Sequence, residues 1–113
     1  MLGASQAAAS ERGAALFEPC RACHSLDPRA EAGPGPNLAG LIARRIAGDP
    51  NFDYSPVLRD AGKSGTVWTR ERLDAFLADG EAMFPGMWMI AKPMTDSANR
   101  KALADFLTGP KSR

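Results

Sequence analysis

Both cysteines of the chain and its only histidine lie within five residues, in the stretch CRACH from Cys20 to His24. Three chemistries use such a cluster: a metal clamp, a redox-active dithiol and the covalent attachment of a haem. The rest of the chain, and the elements that must position these residues, decide among the three.

Two of these chemistries are poorly supported. A zinc site takes about four protein ligands, or three and a water. The cluster offers three ligands packed closely in sequence, and the 113 residues contain no other Cys or His. A redox dithiol normally begins a helix that follows a strand. Here the motif follows a predicted helix and precedes a loop rich in Pro and Gly.

Haem attachment fits the spacing best. Two cysteines three residues apart can form thioethers with the two vinyl groups of one porphyrin, and His24 is then placed to ligate the iron. A second histidine ligand from this chain is impossible. The sixth ligand is therefore Met, Lys, the N-terminus, an exogenous group or nothing. Four methionines fall within twelve residues, although core filling is the alternative role for each: Met83, Met87, Met89 and Met94.

Length and composition describe one domain of ordinary globular character. The chain is 44% hydrophobic with a net charge of +1, so its charge does not indicate nucleic acid or an anionic membrane as a partner. No apolar run approaches the length of a membrane span. Residues 1–9 have no intact signal peptide and are predicted to be mobile. Residues 10–113 are predicted to form the domain.

The pattern predicts an all-α fold of three to five helices joined by long loops. A first helix is expected to begin at Ser10 and Glu11, a short helix or turn to lie within LAGLIARRIAG, and a helical turn within SPVLRDAG. A clearer helix is expected from Thr69 to a stop at Gly80, and residues 81–94 are expected to be an extended loop. A last helix is expected from about residue 96 to Leu107, ended by Gly109 and Pro110. Loops of this extent suggest a large buried cofactor that organises them.

In this order of elements, the sequence resembles the class I cytochromes c, in particular the mitochondrial-like bacterial type. The resemblance runs from about Ser10 to Leu107. It rests on CRACH, on GPGPNLAGLIARR, on NFDYSP, on Trp68 and on FPGMWM, which matches the family's Pro-Gly-x-x-Met segment.

The resemblance implies a cytochrome c fold wrapped around one haem c. Cys20 and Cys23 would hold the haem, His24 would be the proximal iron ligand, and the Pro36 carbonyl would orient its ring. Met89 would be the second axial ligand, with Met87 and Met94 as competitors.

The resemblance also implies which residues bind the haem propionates and where the first and last helices cross. Arg44, Tyr54 and Trp68 would hydrogen-bond the propionates, and Arg45 is the obvious competitor of Arg44. Gly13 and Phe17 would cross the last helix near Leu103 and Phe106.

Three positions depart from the family's pattern. Phe76 stands where a Tyr commonly donates to the ligand sulfur, Met87 where a Thr is frequent, and Leu58 where an Asn is frequent. We therefore expect a drier, more hydrophobic methionine side and a potential outside the family norm. The chain has only four lysines, so Met87 and Trp88 are candidates for an apolar docking patch.

The resemblance implies a monomeric one-electron carrier and not an enzyme. It would work in the periplasm, or in the intermembrane space if the source is eukaryotic. A donor would be a periplasmic dehydrogenase, such as a sulfite dehydrogenase, and an acceptor would be a terminal oxidase. The alternative is a haem domain with an open sixth site, peroxidase-like or gas-sensing.

Overall fold

The computed structural model describes residues 11–89 and 92–108. Within these ranges the chain is all-helical, as predicted, and its one extended pairing is an isolated bridge between Arg45 and Val67. Helix α1 covers residues 11–17 and continues as a 3-10 helix, Glu18–Ala22. The others are α2 (Pro56–Lys63), α3 (Arg70–Ala78), α4 (Gly80–Met83) and α5 (Ser97–Thr108). The predictions for residues 1–9, Ser10, Gly109 and Pro110 lie outside the described residues.

Helices α1 and α5 cross where the sequence predicted. A Cβ on Gly13 would lie 2.5 Å from the Phe106 Cβ and 2.7 Å from the Ala102 carbonyl oxygen, so only glycine allows this approach. The Phe17 ring lies 5.8 Å from the Phe106 ring, and both Phe17 and Leu103 are 1% exposed. This crossing contributes Phe17 and Leu103 to the hydrophobic core, with Phe106 packed against it.

Helix α3 begins as expected, because the Thr69 hydroxyl accepts the backbone N–H of Arg72 at 3.1 Å. The prediction that residues 81–94 are entirely loop was wrong. Asp79 ends α3, and its carboxylate accepts the N–H of Ala82 at 3.1 Å. That cap starts α4 at Gly80, the residue expected to be only a stop.

Residues 38–48 form turns, one of the two alternatives that the sequence left open. Ala43 and Ala47 have φ angles of 74° and 59°, in the left-handed region. The backbone between them pairs across the molecule: Ile46 N–H donates to Thr66 O at 2.9 Å, and Trp68 N–H donates to Arg44 O at 2.9 Å. Long-range pairing therefore overrides local helix propensity here.

The helical turn predicted in SPVLRDAG is a full helix, α2, with Pro56 at its first position. Helices α3 and α5 are joined by two ion pairs, Arg70 with Asp105 and Arg100 with Asp74. Among the described residues, no helix has the length and apolar character needed to cross a membrane.

Candidate functional site

The CRACH stretch is wound into a single turn. The N–H groups of Cys23 and His24 both donate to the Cys20 carbonyl, at 3.1 and 2.9 Å. Cys20 is half-buried against the core and Cys23 is exposed, and both are free thiols. The turn therefore presents the two cysteines and the histidine as one local unit.

Two of the three chemistries lose further support from this geometry. Burial, together with the neighbouring Cys23, raises the pKa of the Cys20 thiol. A redox dithiol instead depends on a thiol whose pKa is lowered. The part of the chain that the structure describes also contains no group of three or more His, Cys, Asp or Glu side chains placed to hold a metal ion.

The His24 ring is fixed by a neighbouring loop. Its Nδ1 donates to the Pro36 carbonyl at 2.8 Å, the contact that the family resemblance implies. A Cβ on Gly35 would lie 2.7 Å from His24 Cε1 and 2.9 Å from the Cys23 carbonyl oxygen. This bond assigns the proton to Nδ1 and leaves Nε2 as the nitrogen that can bind iron.

Two buried side chains, those of Arg44 and Ser55, have polar atoms left unpaired within the part of the chain that the structure describes. Arg44 donates to the carbonyls of Asn37 at 2.7 Å and Ala39 at 3.0 Å, but its buried Nε has no hydrogen-bond partner among the described residues. The Ser55 hydroxyl is buried without a partner as well. Unpaired buried donors are costly, and haem propionates would satisfy them. Arg45, the competitor of Arg44, is exposed.

Sequence reasoning missed Ser55, although its position directly after Tyr54 was a usable signal. It also missed Asp49, which is 8% exposed. The Asp49 carboxylate accepts the N–H groups of Asn37 and Asn51, both at 2.9 Å. Burial acts to raise the pKa of Asp49, but these two bonds and the Arg44 charge outweigh it and lower the pKa. Asp49 is therefore an anion beside Arg44.

Tyr54 joins the same group. Its hydroxyl accepts the Asp49 N–H at 3.0 Å, and burial raises its pKa, so the phenol keeps its proton at neutral pH. That proton can be donated to a further acceptor. The structure thus brings Arg44, Tyr54 and Asp49 together, and Ser55 directly follows Tyr54 in the sequence.

Trp68 is 9% exposed and belongs to an aromatic cluster. Its ring meets the Phe76 ring at 5.4 Å and the Phe84 ring at 6.4 Å, edge to face in both cases. The Trp68 N–H donates a hydrogen bond to the Arg44 carbonyl at 2.9 Å, so the two residues lie on adjacent backbone segments. The departure at Phe76 thus places an unsubstituted ring inside an apolar cluster.

The four candidate methionines separate into two groups. Three are packed against the hydrophobic core: Met83, Met87 and Met94. Met89 is half-buried but does not belong to that packed set among the described residues. Trp88 is 58% exposed. The prediction of an exposed patch is therefore supported for Trp88 and wrong for Met87, whose side chain fills space beside Gly80.

Comparisons with known proteins agree with this arrangement. No family model matches the chain. It is 40% identical over 86 residues to a cytochrome c2 of Agrobacterium tumefaciens. This alignment covers 73% of this chain and 78% of that protein. It is 38% identical over 98 residues to a cytochrome c2 of Rhodopseudomonas palustris, over 87% of this chain and 75% of that protein.

Solved structures show the same likeness in three dimensions. The cytochrome c2 of Rhodospirillum centenum superposes with a TM-score of 0.79 at 32% identity, over 87% of this chain and 94% of that one. Cytochrome cH of Methylobacterium extorquens gives a TM-score of 0.76 at 28% identity, over 87% and 95%. With the CRACH turn, these likenesses show that the chain belongs to the class I cytochromes c of the cytochrome c2 type, mono-haem electron carriers that bind one covalent haem c.

Proposed function

We propose that this chain is a one-electron carrier whose haem iron is held between His24 and Met89. The observation that carries the proposal is the separation of the methionines. Three candidates are engaged in the core, and Met89, in the Pro-Gly-x-x-Met segment, is left available. With both axial positions filled, substrates are kept from the iron, which suits electron transfer and not catalysis.

The haem supplies the one-electron couple, and the residues of the chain tune and protect it. The Pro36 carbonyl makes the His24 imidazole a better donor to iron. We assign Arg44, Tyr54, Ser55 and Trp68 to the two propionates. Asp49 offsets the Arg44 charge, so the propionate region is less positive than Arg44 alone would make it.

The docking surface is proposed to be apolar. Trp88 is the one large hydrophobic side chain that is strongly exposed among residues 11–89 and 92–108. Lys101 is already paired with Asp105 at 2.9 Å, so lysine charge for steering is scarce. Partners would meet this surface in small, transient contacts.

The donor and acceptor follow from the family alone. We propose a periplasmic setting, with electrons arriving from a dehydrogenase, such as a sulfite dehydrogenase, and leaving for a terminal oxidase or another cytochrome. The chain would act as a monomer.

The test uses the purified holoprotein. We expect a reversible one-electron potentiometric titration, and ferrous protein that binds carbon monoxide only slowly. Rapid carbon monoxide binding at stoichiometric yield would show an open sixth site and support the peroxidase-like or gas-sensing alternative instead.

A further inference from the structure

Among the four residues 85–88, only Met87 has a side chain that packs against the hydrophobic core. Pro85, Gly86 and Trp88 are all exposed. The Met87 thioether lies over Gly80: a Cβ built there would be 2.5 Å from Met87 Cε and 3.5 Å from its Sδ.

The Met87 thioether occupies a space, here called its seat, that is formed by Gly80 and Phe76. Gly80 opens helix α4 and has no side chain to compete for the space. The Phe76 ring forms a second wall, with its Cε1 3.3 Å from the same Cβ position. Phe76 is itself held by Trp68 and Phe84, so this wall belongs to the core. The thioether therefore joins the surface segment to a fixed part of the molecule.

Residues 84–89 and 92–96, here called the methionine loop, are fastened at both ends. At the later end, the Met94 N–H donates to Leu77 O at 2.9 Å, and Arg100 donates to the Met94 carbonyl at 2.9 Å. At the earlier end, the Gly86 N–H donates to the Glu81 carboxylate at 2.9 Å, a bond between exposed groups. At that end the Met87 N–H also donates to Phe84 O at 3.1 Å, and Phe84 is itself buried. Beyond Phe84, Met87 is the core-packed side chain nearest to Met89 on the earlier side, two residues before it.

We propose that Met87 is a positioning residue that holds the methionine loop closed, so that Met89 remains the sixth iron ligand. The inference rests on the proposed function, because it takes Met89 as that ligand. Met87 acts through packing and does not bind iron. Loss of its contacts lowers the cost of lifting residues 85–89 away from the buried Phe84, because only the exposed bond at Gly86 and the turn bond from Met87 N–H to Phe84 O then hold this part of the loop.

Carbon monoxide reports this motion, because it reaches ferrous iron only when the sixth ligand leaves. In Met87→Ala we expect the weak red band of sulfur-ligated ferric iron to persist, and carbon monoxide to bind at least about tenfold faster than in the wild type, as loss of buried packing would allow. Met87→Leu, which refills the seat, should return the rate to within about threefold of wild type. Gly80→Ala, which displaces the thioether without changing the loop, should also accelerate binding.

Met83→Ala is the matched control, since it removes a core methionine from helix α4 that lies outside the loop. Its rate should stay within about threefold of wild type, because the seat of Met87 is intact. Equal acceleration by Met83→Ala, or none by Met87→Ala and Gly80→Ala, would overturn the inference and leave the proposed function standing. Loss of the red band in Met87→Leu, with its retention in Met89→Ala, would make Met87 the ligand and overturn both.

Discussion

The two sides of the haem site are built in different ways. On the histidine side, Cys20, Cys23 and His24 share one turn, and Gly35 N–H donates to Cys23 O at 2.8 Å while Pro36 fixes the imidazole. On the methionine side, the loop is held by packing against Gly80 and Phe76 and by bonds from distant helices. One side is specified by adjacent residues, and the other by tertiary contacts.

This difference predicts different failures. A substitution on the histidine side should impair attachment and folding, because the backbone there has no room to adjust. A substitution on the methionine side should leave the haem attached and change its potential or the rate at which the loop opens. The following predictions test that contrast, beginning with the largest expected effect.

Gly35→Ala should be the most damaging of these changes. Its Cβ would lie 2.7 Å from His24 Cε1 and 2.9 Å from Cys23 O, so the ring or the turn must move. We expect a loss of roughly 1–3 kcal/mol in the free energy of unfolding and a several-fold lower yield of covalent haem, measured by the haem-to-protein absorbance ratio. Gly33→Ala is the control, because nothing lies within 4 Å of its Cβ position. Equal haem yields for the two variants would contradict the crowding at His24.

Asp49→Asn should lower the free energy of unfolding by up to roughly 1.5–3 kcal/mol at pH 7, the range for hydrogen bonds to a charged group. Because the pKa of Asp49 is lowered in the folded protein, its contribution is present above roughly pH 4. It is lost as the pH falls through the folded-state pKa. Chemical denaturation of wild type and variant should therefore differ at pH 7 and converge in acid.

Asp27→Asn is the control for this carboxylate. Asp27 also accepts a backbone N–H two residues on, from Arg29 at 3.0 Å, but it is exposed. Its effect should be within about 0.5 kcal/mol. A gap between Asp49→Asn and wild type that persists unchanged at pH 3 would contradict the role of the charge.

Phe76→Tyr should raise the reduction potential and leave attachment intact. A hydroxyl that donates a hydrogen bond to the ligand sulfur makes the sulfur a poorer electron donor to ferric iron. The ferrous state is then favoured relative to the ferric state. We expect a shift on the order of 20–60 mV, up to a tenfold change in the one-electron equilibrium. Phe106→Tyr adds the same hydroxyl at the α1–α5 crossing and should not shift the potential. Identical potentials for Phe76→Tyr and wild type would count against a dry methionine side.

Trp88→Ala should have the smallest effect on the protein itself, within about 0.5 kcal/mol of stability, because the side chain is 58% exposed. Its effect should appear in docking. Voltammetry on methyl-terminated monolayers should show several-fold weaker adsorption of the variant, with little dependence on salt. Stronger adsorption of wild type on carboxylate-terminated films, abolished by salt, would favour lysine steering over an apolar contact.

The same contrast explains what the sequence could predict. Cys20, Cys23 and His24 could be proposed from the CRACH spacing, because all three lie within five neighbouring residues. The Pro36 contact and the α1–α5 crossing at Gly13 were implied by the family resemblance, and the structure shows both contacts. Helix α4 was missed because its cap, Asp79, also ends α3.

Tertiary contacts limited the remaining predictions. The sequence left a short helix and a turn open for residues 38–48, because the backbone pairing with residues 66–68 that decides between them is not a local feature. Asp49 is held partly by the N–H of Asn37, twelve residues earlier, and Met87 packs over Gly80 and Phe76, contacts that the periodicity of the sequence does not predict.

The ferric spectrum of three variants, Met87→Ala, Met89→Ala and Met94→Ala, tests the central claim most directly. The weak red band of sulfur-ligated iron should disappear in Met89→Ala alone and persist in the other two, since Met87 and Met94 are packed in the core. Persistence of the band in Met89→Ala would contradict the account, whichever of the other variants lost it.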